Sequence, residues 1–240
     1  MNGGLSLAQC VEYREKGYVV IRDRFAEAEI GAWQEETARL LQVLDAGDES
    51  DPRIQSRPHL TGGRILDRID PVTDLAPAFA ALVEDPRVVA AAADALGDRP
   101  VLLKDKLIFK RPGTAGYGMH QDWPYLEAIG IPPDGMVAVM VSIDPANATN
   151  GALELYPGLH HGRLPAPSEE PRDVDVTKMD LTTGETIATR PHDLLLFHGL
   201  APHRSGPNRS AQRRAALYLT YNAARYGDRY ARYYALRAAS

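Results

Sequence analysis

His120-Gln121-Asp122 sets an imidazole and a carboxylate two positions apart, after a glycine-rich approach from Gly113 to Gly118. On an extended segment, residues i and i+2 project to the same side, so both groups can face one cation. A third ligand lies far downstream, where His203 follows the apolar run Leu194-Leu195-Leu196-Phe197. Two histidines and one carboxylate on one face leave three coordination positions open, the arrangement suited to Fe(II) and O2 activation. A 2-oxo acid could fill two of these positions through its carboxylate and keto oxygen, leaving the third for O2. The far carboxylate of 2-oxoglutarate would then need a planar, bidentate cation, which is an arginine task. Arg214 stands at the start of the last strand-like run, with Arg213 beside it as a decoy. Ser205, two residues after His203, can project to the same side and offer a hydroxyl. Taken singly, a histidine is more often a surface or core residue. The joint order and the strand setting favour a site.

These groups need a scaffold, and the chain divides into a helical first third and a strand-rich remainder. Leu7 to Lys16 reads as a short helix with Ser6 as N-cap and Gly17 as stop, followed by the β-prone run Tyr18 to Ile21. Glu27 to Leu44 carries the apolar period of an amphipathic helix. Thr73 to Leu96 holds two helices, the second entered at Asp85-Pro86 and ended by Gly97. Val101 to Lys110 alternates, with Leu103, Asp105 and Leu107 on one face. Met136 to Ile143, Ala152 to Tyr156, Leu194 to Phe197 and Ala215 to Tyr221 complete the predicted strands. Short strands between turn signals argue for a closed or sandwich-like antiparallel architecture, with the N-terminal helices covering one outer face. Residues 46 to 63 read as an exposed loop, and the Pro- and acid-rich stretch 165 to 184 as a mobile insertion. With Trp123 to Pro133 they are the expected lids and carriers of substrate specificity. Tyr117, Trp123 and Tyr125 flank the His-x-Asp pair and are candidates for lining the pocket. Plain core aromatics are the competing reading.

Composition narrows the partners. A net charge of −5 offers no basic field for nucleic acid. The single cysteine, Cys10, excludes an internal disulfide and a cysteine-rich zinc site. No apolar run is long enough to span a bilayer and no signal-peptide pattern opens the chain, so a cytoplasmic enzyme acting on a small molecule is expected, without a membrane or nucleic-acid partner.

From about residue 10 to residue 222 the sequence resembles the phytanoyl-CoA dioxygenase family. The resemblance is carried by Tyr13 to Arg22, Lys106 to Gly113, His120 to Trp123, Asn150 to Leu153, Pro157 to His160 and Phe197 to Ser210, ending at Arg213-Arg214-Ala215. It implies a single domain over 1–240, with a helical part at about 1–100 and a core at about 101–225. The implied fold is mainly β with N-terminal helices, a double-stranded β-helix (jelly-roll, cupin-like) core flanked by helices. The implied activity is Fe(II)- and 2-oxoglutarate-dependent hydroxylation of a C–H bond by O2, releasing succinate and CO2. By position His120, Asp122 and His203 match the iron ligands, and Arg214, helped by Ser205, matches the partner of 2-oxoglutarate. His160 and His198 match recurrent histidines that are not ligands. A looser alignment places Arg68, Lys106, Gln121 and Met140 at co-substrate or pocket positions. Related halogenases carry a small residue in place of the carboxylate, so Asp122 disfavours halogenation. Expected substrates are a small zwitterion or phosphonate, an amino-acid derivative, or a natural-product intermediate. Two rivals stay open on the residues alone: a cupin-like metalloenzyme that uses no 2-oxo acid, and a non-catalytic barrel that binds a ligand. Arg214 separates the first from the oxygenase, and the complete ligand set argues against the second.

Overall fold

The computed structural model describes residues 3–168 and 173–238. Helix α1 (Leu7–Lys16) starts at a reciprocal cap, in which the Ser6 hydroxyl accepts from the Gln9 N–H and the Gln9 side chain accepts from the Ser6 N–H. It stops at Gly17, where φ is 82° and an added Cβ would lie 2.5 Å from the His160 ring. Only glycine meets both demands. Helices α2 (Glu27–Ala46), α3 (Pro77–Val83) and α4 (Pro86–Leu96) follow. α4 is capped by the Asp85 side chain and ended by Gly97 in the left-handed region.

Among the described residues, eleven strands build two antiparallel sheets. They are β1 (Tyr18–Ile21), β2 (Ile54–Pro58), β3 (Arg64–Ile69), β4 (Pro100–Ile108), β5 (Tyr117–His120), β6 (Met136–Ser142), β7 (Leu153–Leu155), β8 (Glu185–Thr186), β9 (Leu194–His198), β10 (His203–Ser205) and β11 (Ala216–Ala223). The major sheet runs β1-β9-β6-β11-β4-β3-β2 and the minor sheet β5-β10-β7-β8. Together they form the double-stranded β-helix core. Alternation sorts the two faces of the major sheet. Val137, Val139, Leu196, Leu217 and Leu219 point outward and bury Ile30, Trp33, Leu40, Phe79 and Val88 of α2 to α4. Ala138, Met140, Leu195, Phe197 and Tyr218 point inward, against Leu153 and Leu155 of the minor sheet. Each such side chain contributes about 1.5–3 kcal/mol on burial. A one-residue slip of β11 would exchange its two faces and expose this set to the wrong side.

Four segments differ from the sequence reading. The stretch read as a loop at 46–63 contains β2, which pairs with β3, and β3 joins β4 through Arg68↔Ile108 and Ile69↔Leu107. The period was there, since Ile54 and Ser56 are buried, but a polar edge strand ending in proline has a loop's composition. In the stretch 165–184, the described residues make short helical turns at Val176–Lys178 and Leu181–Thr183, each opened by an aspartate cap. They are tethered, because Val174 donates to the Met119 carbonyl at 3.1 Å and packs with Met119 and Tyr156. Residues 169–172 of that stretch lie outside the described residues. Finally, two helices around the core were unforeseen, the short α5 (Trp123–Leu126) between β5 and β6 and α6 (Tyr230–Ala238) after β11. Among the described residues no helix is long and apolar enough to cross a membrane.

Candidate metal centre and co-substrate pocket

β5 and β10 are neighbours in the minor sheet with His120 directly opposite His203, so residues distant in sequence meet with ring centroids 4.2 Å apart. Asp122 follows where β5 turns into α5, its Oδ1 3.7 Å from the His120 Nε2. One ligand atom from each of the three residues lies within 4.8 Å of the other two. Both rings are oriented by the backbone: Nδ1 of His120 donates to the Gly118 carbonyl at 2.8 Å, and Nδ1 of His203 donates to the Ala201 carbonyl at 2.9 Å. A carbonyl only accepts, so the proton sits on Nδ1 and each Nε2 lone pair is left for a cation. Burial pushes His203 down to about 3, helped by the neighbouring His120. Burial likewise lowers His120, against the pull of Asp122. For Asp122, burial acts to raise the pKa, but Lys104, His203, Lys106 and His120 outweigh it and hold the carboxyl well below its usual range. Two neutral imidazoles and an ionised carboxylate, with no thiolate, fit a divalent first-row metal with open positions.

Gln121 explains why the motif has three residues. Its neighbours face the metal position, and its own side chain turns away to bind backbone: it donates to the Gly162 and Leu200 carbonyls at 2.9 and 2.7 Å and accepts from the Leu164 N–H at 2.9 Å. Trp123 adds a bond from its backbone N–H to the Gly199 carbonyl. The Asp122 turn is thereby tied to the turn before His203. His198 orders that turn from the other side, accepting from the Leu200 N–H and pairing with Asp134 at 3.1 Å.

A small cavity beside the triad is lined by His120, His203, Lys106, Ser205, Tyr218 and Arg214, among others. Arg214 is 2% exposed. Its guanidinium donates to the Gly151 carbonyl at 2.9 Å and the Tyr218 hydroxyl at 3.3 Å, while Nε has no partner. No carboxylate among the described residues lies within ion-pair distance of it, an expensive state for a buried cation unless a ligand supplies the anion. Gly151 is constrained here: φ is +75°, and a Cβ would come within 2.3 Å of both the Gly206 carbonyl oxygen and the Lys110 Cε. Lys110 is fully buried, with φ of 38°, and its ammonium donates to the Ser205 hydroxyl at 2.7 Å. Burial, then Arg214, pushes it down to about 7.

A larger, open-mouthed cavity of about 510 Å³ lies on another side of His120 and Asp122. Lys104 and Lys106 of β4, Arg68 of β3, Arg57 of β2, Tyr117, Tyr125 and Asp173 line it, with Tyr233 and Arg237 of α6. Burial pushes Lys106 down to about 7, reinforced by Lys104, whereas for Lys104 the pull of Asp122, Tyr233 and Asp70 exceeds the burial effect and raises it.

The structure thus gathers His120, Asp122, His203, Ser205, Arg214, Lys106, Arg68, Tyr117 and Tyr125 around the two cavities. It does not bring in Gln121, spent on backbone, or Met140, which pairs with Tyr218 and Leu195 inside the core and lines neither cavity. Trp123 also lines neither; it packs beside Leu126, Ile129 and Ile131 and donates to the Ile131 carbonyl at 2.8 Å, the core alternative. Lys104, Lys110 and the α6 residues were missed. Lys104 was legible, since the face of β4 opposite Leu103, Asp105 and Leu107 must carry Lys104 and Lys106. So was α6, whose Tyr230, Tyr233, Tyr234 and Arg237 follow helical spacing.

A family profile described as phytanoyl-CoA dioxygenase matches residues 13–216. The chain is 29% identical over 238 residues to a methylphosphonate hydroxylase of Gimesia maris, covering 98% of this chain and 87% of that protein. It is 25% identical over 232 residues to a 2-aminoethylphosphonate dioxygenase of an uncultured bacterium, covering 92% and 83%. Among solved structures it is similar to EctD from S. alaskensis with 2-oxoglutarate and 5-hydroxyectoine, at a TM-score of 0.78 and 22% identity over 94% of this chain and 79% of that one.

Proposed function

The chain belongs to the phytanoyl-CoA dioxygenase family, and from that premise we propose a division of labour among its residues. The protein is an Fe(II)- and 2-oxoglutarate-dependent dioxygenase that hydroxylates a small organic substrate. Iron with 2-oxoglutarate and O2 supplies the oxidising power that converts R–H to R–OH, with succinate and CO2 as co-products. His120, Asp122 and His203 would hold the iron. Arg214 would pair with the distal carboxylate of 2-oxoglutarate, and Ser205 would add a hydroxyl donor, itself oriented by Lys110. Tyr218 and Lys106 form further parts of the same wall. Burial of this pocket excludes water from the co-substrate and strengthens each of these contacts.

We assign residues 1–240 to one oxygenase domain, because β1, β2 and β3 from the helical first hundred residues pair into the major sheet. The relatives named for methylphosphonate and 2-aminoethylphosphonate point to a substrate carrying a small phosphorus oxyanion, and Tyr117 and Tyr125 would line its pocket. The observation that carries the whole reading is a shared cavity wall: His120, His203 and a buried arginine with no counter-ion among the described residues border one space, and Asp122 completes the ligand set within 4.8 Å of both histidines. An anaerobic titration with Fe(II) and 2-oxoglutarate, followed by visible absorption, tests it. A charge-transfer band in the wild type, absent in His203→Ala and weakened in Arg214→Ala, is expected. Iron binding without any such band refutes it.

A further inference from the structure

An ammonium or guanidinium taken out of bulk water without a counter-ion carries a desolvation penalty that a folded protein rarely leaves unmet. Four cations without an ion pair to a described residue line the larger cavity; Arg57 is held by the Gly116 carbonyl, and the other three are Arg68, Lys104 and Lys106. Lys104 is 8% exposed, and Lys106 and Arg68 are half-buried. None has a hydrogen bond or ion pair to a described residue. The two ammonium groups lie over rings, Lys104 at 5.8 Å from the Tyr233 centroid and Lys106 at 5.3 Å from that of Tyr218, and the nearby Asp122 and Asp70 carboxylates act on them without a direct ion pair. The acids on the cavity wall are otherwise engaged. Asp70 pairs with Arg237 at 2.7 Å, Asp173 accepts from the Tyr125 hydroxyl, and Asp122 faces the metal position.

We infer that Arg68, Lys104 and Lys106 form the cradle for the substrate's head group, and that this head is a doubly charged tetrahedral oxyanion of the phosphonate class. Alternation puts Lys104 and Lys106 on one side of β4, and Arg68 approaches from the adjacent β3, across from Ile108. Donors arriving from separate backbone positions suit oxygens disposed around a tetrahedral centre. The Arg68 fork can take two oxygens of a phosphonate, and the lysines add point charges with rotatable donors for the third. Lys106 also borders the co-substrate cavity, so Lys104 and Arg68 are left to the substrate alone, enough to balance two negative charges. Since His120 and Asp122 line the same space of about 510 Å³, the carbon to be oxidised stands within a few bonds of the head group. The inference rests on the oxygenase reading for the metal beside the cradle; the cradle's own charge does not depend on it.

The test is calorimetric titration of the anaerobic protein loaded with Fe(II) and 2-oxoglutarate, using methylphosphonate in its dianionic form and the singly charged isostere methanesulfonate. Methylphosphonate should bind about tenfold or more tighter than methanesulfonate. Lys104→Met and Arg68→Met should each weaken it by about tenfold or more while keeping the 2-oxoglutarate band, which certifies their fold. Unchanged affinity in both variants, equal affinity for the two probes, or no binding of methylphosphonate overturns the cradle. If the wild type shows no band, the oxygenase reading fails instead, and the same titration of the metal-free protein still decides the cradle.

Discussion

Replacing Arg214 by Met removes the one buried cation that we pair with 2-oxoglutarate, and the structure sets the size of the effect. The guanidinium holds the Gly151 carbonyl and the Tyr218 hydroxyl, and no carboxylate of the described residues shares it. A carboxylate arriving there would receive a charge-assisted, two-point contact in a dry pocket. Truncating one partner of such a pair costs about 2–5 kcal/mol, so about 3 kcal/mol, or roughly 150-fold in the Kd of 2-oxoglutarate, is expected. Arg214→Lys should lose less, because it keeps the charge without the fork. Fe(II) binding alone should be unchanged, since Arg214 does not touch the triad. Thermal unfolding separates this role from a merely structural one. Without co-substrate the arginine is a buried, uncompensated charge, so Arg214→Met should leave the Tm of the metal-free protein level or raise it, while the stabilisation by added 2-oxoglutarate disappears. Anaerobic titration and differential scanning fluorimetry give both numbers. Co-substrate affinity within about threefold of wild type, or an equal loss of Tm with and without 2-oxoglutarate, refutes the assignment.

Other consequences concern the supports. Gln121→Ala frees two carbonyls and one N–H between the ligand-bearing turns; iron affinity should fall about 10- to 100-fold, and metal titrations matching wild type would exclude this clamp. His203 at about 3 and His160 at about 4 lie below the ordinary histidine value, so below about pH 6.5 the unfolded chain binds more protons than the folded one. The metal-free protein should therefore lose stability as pH falls from about 6.5 toward 4, by up to about 1.4 kcal/mol per unit per histidine; urea midpoints that stay level between pH 7 and pH 5 contradict this. Tyr230→Phe removes the donor to Asp105 at 2.8 Å that helps seat α6, and should raise the KM for substrate while sparing that for 2-oxoglutarate. Succinate-release kinetics decide between that split and a uniform loss.

The candidate metal triad and the main strands were legible because their signals are local. The His-x-Asp spacing is visible within three residues, although β5 stops at His120 and Asp122 takes helical backbone angles at the start of α5, and β-branched or leucine runs between turn residues mark β6, β9 and β11 to within a residue or two. Arg214 was legible through its place at the start of β11, where the chain enters the sheet. Long-range pairing was not. Nothing local in Ile54 to Pro58 says that it will pair with β3, and a polar strand at the rim looks like the loop it replaces. Gln121 invited a ligand-side expectation because it stands between His120 and Asp122, but β5 ends at His120 and the turn into α5 directs its side chain to the backbone of Gly162, Leu164 and Leu200. Lys110 carries no sequence signal at all: its buried ammonium follows from the left-handed turn at its own α-carbon and from the absent side chain of Gly151, which clears its path.

The two ends of the site are built by different means, and that difference bears on specificity. The co-substrate end is made from sheet residues with fixed neighbours: Ser205 on β10, Tyr218 on β11, and Arg214 just before it. The substrate end is assembled around the rim, from the edge strand β2 and its neighbour β3, the α5 region, the segment at Asp173 and helix α6. β4 joins them. Its face with Leu103, Asp105 and Leu107 faces protein: Leu103 and Leu107 pack in separate hydrophobic clusters, and Asp105 takes the Val72 and Thr73 N–H groups at 2.7 and 2.8 Å, while its opposite face presents Lys104 and Lys106 to the cavity. Asp105 also receives the Tyr230 hydroxyl, so the charge that fixes the back of the strand also fixes the helix that closes the front. In the arrangement we propose, changes at the rim should alter which substrate is held without disturbing how iron and 2-oxoglutarate are held, whereas a change at Asp105 should be felt by α6 and by both lysines at once.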